Sequence, residues 1–183
     1  MPDNHKTITC NEMRRRDRAK EENWIREFLH KAPVGNLATA AAGQPFVNMN
    51  TFVYHEEKQA IYFHTARQGR TRDTIVENPH VCFSASEMGR LLPAKEAMHF
   101  SVEFNSVVVF GTCAIVDDET EAKSGLQLLL DKYFPHLKPG RDYRAVVPEE
   151  LKLTAVYRID IAEWSGKQKA VEEDFPGAFF YKG

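Results

Sequence analysis

The chain has 183 residues, enough for one domain with a full hydrophobic core. Apolar residues make up 43% and charged residues 27%, and the net charge of −2 gives no indication of nucleic-acid binding. No apolar run is long enough to span a bilayer, and residues 1–16 do not have the form of a secretory signal. The three cysteines form neither a CxxC pair nor a zinc spacing, so we expect a protein of the reducing cytoplasm without a metal site.

The N-terminal region predicts an arm followed by a helix. Residues 1–12 are polar, and we interpret them as a flexible arm that leads into a basic cluster at 13–18. A helix is predicted over 16–31, because apolar side chains recur at i, i+1, i+4 and i+5 from Trp24. Pro33 ends it.

A sheet-forming block comes next. Short connections between apolar segments predict an antiparallel meander of three strands, at 34–42, 46–53 and 59–64. On the second of these strands Asn48 and Asn50 share one face, and the opposite face is apolar. Taken alone, the two amides indicate either hydrogen-bond donors for a ligand or a wet barrel surface.

The turn at 65–72 carries the strongest functional signal. A strand stops there, a polar turn contains Gly69, and a helix is predicted over 71–77. The first N–H groups of a helix have no partner within it, and together with the helix dipole they favour an anion. The turn adds hydroxyl and guanidinium groups at Thr65, Thr71, Arg67, Arg70 and Arg72. We hypothesise that it holds the phosphate of a cofactor; the alternative is a solvated basic turn, since no Walker or GxGxxG motif is present.

The second half of the chain predicts long strands separated by a helix and loops. The expected order is a strand at 81–85, a long loop at 87–100, a strand at 101–116, a helix from 117 to 134, a loop at 136–147 and a last strand at 153–164. Ser165, Gly166 and Lys167 are expected to break that strand. The Phe-rich tail at 168–183 is expected to pack on a partner subunit.

Together these elements predict a mainly β fold with peripheral helices. About six antiparallel strands are expected to form a small barrel, since closure removes exposed edges. A doubly wound parallel sheet is excluded because βα alternation is missing.

This ordered set of segments resembles the pyridoxamine 5′-phosphate oxidase-like family. Within it, the chain is most similar to the flavin-nucleotide-binding branch that includes the 5-nitroimidazole-resistance (Nim) proteins. The resemblance rests on MRR at 13–15, GNLAT at 35–39, PFVNMNTFVY at 45–54, IYFHTA at 61–66 followed by Gly69-Arg70, NPHVCF at 78–83 and SVVVFG at 106–111. It covers residues 13–167, which we expect to be a single domain.

The resemblance implies a split β-barrel that forms a homodimer with FMN at the interface. By position, the phosphate would be held by Thr65, Arg70 and Thr71. The flavin ring would be lined by Val47, Asn48, Asn50, Thr51 and the backbone of His64, Thr65 and Ala66. It would be approached by Ser106 and Val107 from the long strand, and by Trp164, Gly166 and Lys167 from near the end of the last strand, across the dimer. Many members have Lys where this chain has Arg70, which keeps the charge. The chain lacks the C-terminal substrate-phosphate motif, so pyridoxamine phosphate oxidase activity is not expected.

Three classes of function follow. The first is an FMN-dependent oxidoreductase that reduces a small electrophile, nitroaromatic or quinone-like, with electrons from a reduced nicotinamide. His64 is its candidate catalytic group; without the resemblance it reads as a structural strand-end histidine. The second is a binding protein for flavin, deazaflavin F420 or haem, with the haem ligand to be chosen among His64, His80, His99 and His136. The third is a structural dimer with an empty cleft.

Overall fold

The computed structural model describes residues 13–183. The predicted arm at 1–12 lies outside the described residues. The strands are β1 (Ala19–Lys20), β2 (Gly35–Ala41), β3 (Gln44–Asn50), β4 (Val53–His55), β5 (Ala60–Ala66), β6 (His80–Leu92), β7 (Ser101–Ile115) and β8 (Thr154–Lys169). The helices are α1 (Glu22–Lys31), α2 (Arg70–Glu77) and α3 (Glu119–Tyr133), with short 3-10 turns at Arg16–Arg18, Ala97–His99 and Glu150–Lys152.

The strands of this part of the chain form one antiparallel sheet in the order β3-β2-β6-β7-β8-β5-β4, and β1 pairs with β8. The predicted fold class, mainly β with peripheral helices, is confirmed, with eight strands instead of about six. β3 and β4 follow each other in the chain but lie at opposite ends of the strand order. The barrel is therefore split between these two strands.

The predicted meander of three strands is wrong. The third predicted strand, β5, pairs with β4 and β8 and not with β3. The second predicted strand is interrupted at Thr51 and Phe52, because the side chain of Phe52 is fully buried and its backbone leaves the sheet. The backbone N–H of Phe52 donates to the Tyr133 hydroxyl on α3 at 2.9 Å.

The predicted long loop at 87–100 is also wrong over its first half. β6 continues to Leu92 and pairs with β7 through an irregularity between Met88 and Leu91. Gly89 lies there because a Cβ would come within 2.8 Å of the Glu103 Cβ. The glycine therefore marks a bulge within a long hairpin and not the start of a loop.

Ser165, Gly166 and Lys167 do not break the last strand, since β8 runs on to Lys169. Gly166 allows α1 to approach the sheet closely: a Cβ there would lie 2.7 Å from the Ile25 side chain. The predicted start of the first helix near residue 16 is wrong. α1 begins at Glu22, because the residues just before it form β1, which pairs with β8.

The core is built in two parts. The main cluster fills the barrel and includes Leu37, Phe63 and Tyr157, with α1 packed against it through Ile25 and Leu29. A smaller cluster lies under α3, where the helix packs on β5 and β8. No helix in residues 13–183 combines the length and apolar character needed to cross a membrane.

The tail is fastened to the β6–β7 hairpin. The guanidinium of Arg90 is paired with the Glu103 carboxylate at 2.7 Å and also donates to the carbonyl oxygens of Val171 and Glu173. Further on, Phe179 forms an antiparallel bridge with Leu91. Packing of the tail on a partner subunit stays a prediction.

One carboxylate ties α3 to the sheet. The Glu121 Oε1 accepts hydrogen bonds from the Tyr62 hydroxyl at 2.5 Å, from Lys58 at 2.9 Å and from Arg158 at 2.9 Å. These donors, Tyr62 first, lower the pKa of the Glu121 carboxyl to about 2. The side chain is 20% exposed, so solvent only partly screens these contacts.

We expect Glu121→Gln to lower the free energy of unfolding by about 1–3 kcal/mol, because three donors lose a charged acceptor. Glu119→Gln is the matched control: it removes only a surface pair between Glu119 and Lys123 and should cost less than about 0.5 kcal/mol. Urea denaturation at neutral pH measures both. Equal costs for the two variants would contradict the role of Glu121.

The same contact predicts a pH dependence. Because the folded pKa of Glu121 is depressed from 4.5 to about 2, its contribution is complete above pH 4.5 and is lost as the pH falls towards 2. The stability difference between the wild type and Glu121→Gln should therefore shrink over that interval. A difference that stays constant there would be inconsistent with a shifted carboxyl.

Candidate functional site

The N-terminus of α2 has features that favour an anion. The helix begins at Arg70, and the preceding Gly69 has a φ of 130°, a conformation that other residues rarely adopt. No side chain caps this end, so the N–H groups of the first turn remain available. A negatively charged ligand would satisfy them and would also complement the helix dipole.

Side-chain hydrogen bonds hold α2 in a fixed position on the edge of the sheet. The buried Thr39 hydroxyl donates to the Thr74 hydroxyl at 3.1 Å, and Thr74 in turn donates to the Arg70 carbonyl at 2.9 Å. At the other end of the helix, the Asn78 amide donates to the Ala40 carbonyl at 3.0 Å. The N-terminus of α2 is therefore positioned by its contacts with β2 and the turn into β3.

β3 brings two amides to this end of α2. The Asn48 Nδ2 donates to the Thr71 hydroxyl at 3.3 Å and to the Asn50 Oδ1 at 3.4 Å. Asn50 and Thr71 are each 8% exposed. The structure thus places Asn48, Asn50 and Thr71 together, and we call this group, with Arg70 and the first turn of α2, the cradle.

Arg70 supplies the charge of the cradle. Its guanidinium lies over the Phe46 ring, 5.1 Å from the centroid, and the side chain is exposed. Arg67 and Arg72 add two more guanidiniums to the same turn. Such a concentration of positive charge at a helix N-terminus favours phosphate over uncharged ligands.

Of the three predicted residues at the end of β5, His64 and Thr65 lie on opposite faces of the strand, and Ala66 ends it. Thr65 is on the barrel side, where its hydroxyl donates to the Ala66 carbonyl at 2.8 Å and lies 3.3 Å from the Tyr157 hydroxyl. His64 lies on the side of α3. Partial burial of the imidazole lowers the pKa of His64 and so favours its neutral form, although the residue as a whole is exposed.

His64 borders a cavity of about 450 Å³ between β5 and α3, which we call the α3 cavity. Thr51, at the split of the barrel, also borders it. The remaining lining residues come from α3 and from the segment after it: Leu126, Leu129, Leu130, Tyr133, Phe134, Val146, Glu150 and Thr154.

A second group of predicted residues lies elsewhere on the sheet. Ser106 is the register partner of Lys167, and Val109 is that of Trp164. Val107 is fully buried, backbone included, so within one chain it is not open to a ligand. Val47 was predicted to line the flavin ring together with Asn48 and Asn50. Its side chain instead points away from the cradle, and the residue is 61% exposed.

The cradle and the second group lie on different strands of the chain's own sheet. Asn48 on β3 pairs with Leu37 on β2, and β6 separates β2 from β7, which carries Ser106; Lys167 lies one strand further on, on β8. β3 and β7 are thus three strand spacings apart, about 14 Å at about 4.8 Å each. The structure therefore brings the residues of the cradle together but does not join them to Ser106 and Lys167.

The contribution of α3 could not be predicted from the sequence. Leu126, Leu130 and Tyr133 recur with helical spacing, which predicts a packed stripe and says nothing of a cavity. Phe46 was missed as the residue under Arg70, since its position on β3 predicts only a strand face. In residues 13–183, no cluster of three or more His, Cys, Asp or Glu side chains is arranged to hold a metal ion.

The comparison with known families gives one match. The family described as pyridoxamine 5′-phosphate oxidase matches residues 21–168 of this chain. No curated protein matches it in sequence.

Solved structures share the fold. The flavocytochrome Anf3 from Azotobacter vinelandii superposes with a TM-score of 0.74 at 23% identity, covering 94% of this chain and 84% of its own. A FAD and heme binding protein from Mycobacterium smegmatis has a TM-score of 0.72 at 20% identity, covering 82% and 72%. A putative 5-nitroimidazole antibiotic resistance protein from Bacteroides thetaiotaomicron has a TM-score of 0.67 at 16% identity, covering 81% and 84%.

Proposed function

Because the chain belongs to the pyridoxamine 5′-phosphate oxidase-like family, we propose that it binds FMN and acts as an oxidoreductase. Its substrate would be a small electrophile, nitroaromatic or quinone-like, and its electrons would come from a reduced nicotinamide. The observation that carries the proposal is the cradle, in which the Asn48 amide meets the Thr71 hydroxyl at the uncapped N-terminus of α2.

The residues of the cradle fit a flavin nucleotide. Arg70, Thr71 and the N–H groups of the first α2 turn would hold the phosphate. Asn48 and Asn50 would donate to polar atoms of the ring system, and Thr65 would border it from β5. Bound FMN would supply hydride and electron transfer, and the protein would position the two reactants and exclude water.

We further propose that the cofactor site is shared between two copies of the chain. The separation of the cradle from Ser106 and Lys167 supports this, because a partner subunit can bring its own Ser106 and Lys167 to the cradle. A second support is the outer face of the sheet, where Val47 and Met49 are 61% and 60% exposed although both are apolar. A homodimer would bury them.

We expect Arg70→Ala to weaken FMN binding about 10- to 150-fold, since a charge-assisted hydrogen bond contributes about 1.5–3 kcal/mol. Arg141→Ala, which removes the same charge from an exposed pair with Asp142, is the control and should leave FMN affinity unchanged. Fluorescence titration with FMN measures both. The mass of the cofactor released from the purified protein distinguishes FMN, FAD and F420. Unchanged affinity in Arg70→Ala would refute the assignment of Arg70.

A shared site predicts complementation between two defective chains. Arg70→Ala and Lys167→Ala should each bind FMN weakly when expressed alone. When the two variants are co-expressed, each mixed dimer should contain one site with both residues intact, and tight FMN binding should reappear. Co-expression of two tagged copies of the same variant is the control. Failure of the mixture to regain tight binding would mean that each chain builds its site alone.

A second candidate function is haem binding through His64. In the described part of the chain no hydrogen bond engages the imidazole, its pKa is lowered, and it borders a cavity lined by leucines. A neutral imidazole beside apolar side chains is a suitable axial ligand.

The visible spectrum of the purified protein separates the two candidates. Under the first proposal we expect flavin absorption that is bleached by a reduced nicotinamide, with no Soret band. A Soret band that is absent from His64→Ala would establish the second candidate. A protein without either absorption that retains no added FMN would refute both.

A further inference from the structure

We propose that the α3 cavity binds the electron-accepting substrate, and that it selects an uncharged molecule with an apolar substituent, such as an alkylated quinone. This inference rests on the proposed flavin function, since it concerns the substrate of the same site. It goes further by assigning a set of side chains on α3 to substrate selection. A cavity of about 450 Å³ is within the range of small-molecule sites.

The position of the cavity connects it to the cofactor site. Thr51 and His64 border it, and Thr51 directly follows Asn50 of the cradle in the chain, whereas His64 lies on the opposite face of β5 from Thr65. A molecule in the cavity would therefore lie beside a flavin held by the cradle. Electron transfer requires such proximity between donor and acceptor.

The chemistry of the cavity is apolar because α3 has more apolar side chains than the sheet can bury. Leu129 is buried, 5% exposed, against the sheet. Leu126 and Leu130 are only partly buried, and Phe134 at the end of the helix is 48% exposed. At Gly125 the helix already lies close to the sheet, since a Cβ there would be 3.1 Å from the Tyr62 ring. An apolar ligand would complete the burial of this stripe.

The charges around the cavity disfavour an anionic ligand. Among the described residues its lining contains no Lys or Arg, in contrast to the cradle with Arg70. Its carboxylate, Glu150, is already paired: one oxygen accepts from Arg144 at 2.8 Å and the other from the Val147 N–H at 3.0 Å. A phosphorylated substrate would have to leave water without a counter-charge, which is costly. The cavity therefore does not suit pyridoxamine phosphate.

The polar groups that remain suit a carbonyl or nitro oxygen. The Tyr133 hydroxyl is engaged by Phe52 and the carbonyl of Pro33. His64, which borders the cavity, carries an N–H donor that can hydrogen-bond a substrate oxygen. Reduction of a quinone to a hydroquinone consumes two electrons and two protons. A reduced nicotinamide supplies both electrons and one proton as hydride, and solvent supplies the second proton.

Equilibrium binding to the flavin-loaded protein, without any electron donor, tests the proposal. The probes are 1,4-naphthoquinone, its 2-alkyl derivatives of increasing chain length, and the 2-sulfonate. We expect affinity to rise with chain length and the sulfonate not to bind. Leu130→Asn should weaken binding of the long-chain derivative about tenfold or more and affect the parent quinone less. Leu128→Asn, on the same helix but outside the cavity lining, is the matched control and should change affinity by less than about twofold.

A gain of function guards against a variant that merely unfolds the helix. Leu126→Lys places a cation in the cavity and should create binding of the sulfonate while weakening that of the alkylated quinone. Affinity independent of chain length, equal effects of the substitutions at 128 and 130, or sulfonate binding to the wild type would overturn the inference. A protein that retains no flavin would instead refute the proposed function, so the two failures are distinguishable.

Discussion

The architecture depends on how the Tyr133 hydroxyl holds the backbone of Phe52. The hydroxyl accepts from the Phe52 N–H at 2.9 Å, and its own proton lies between the carbonyl oxygens of Pro33 at 2.8 Å and Phe52 at 3.0 Å. It thereby satisfies main-chain groups that a continuous strand would have paired with a neighbour. β3 ends at this point, β4 starts on the far side of the strand order, and the barrel is split.

The residue before Tyr133 strengthens the same junction. The Lys132 Nζ lies 4.0 Å from the centroid of the Phe52 ring and donates to the Ala32 carbonyl at 2.8 Å, at the C-terminus of α1. A cation at this end of a helix is favourable, and the face of an aromatic ring adds to the attraction. Burial acts against the charge and lowers the pKa of Lys132 to about 8. One turn of α3 thus fastens α1 and the split of the barrel to each other.

Sequence patterns predicted the parts of the site that depend on local chemistry. The turn around Gly69 and Arg70 is readable because a glycine, a helix start and several guanidiniums are adjacent in the chain. The strand structure at Gly89 and Gly166 could not be predicted, because each glycine allows a close approach by residues distant in sequence. In the sequence, a glycine that ends a strand looks the same as a glycine that allows close packing within a strand. The α3 cavity was hidden for a related reason: an amphipathic stripe does not reveal how much of it the sheet will cover.

The split places two chemically opposite environments next to each other. On the β3 side, Asn48, Thr71 and Arg70 converge on a helix N-terminus that attracts an anion. On the α3 side, the cavity has leucine side chains and a carboxylate whose oxygens are already engaged. Had both sides been basic, a phosphorylated cofactor and a phosphorylated substrate would compete for the same groups. In our proposal the basic cradle holds the phosphorylated cofactor, and the neighbouring cavity, whose described lining contains no Lys or Arg, is left for an uncharged reactant.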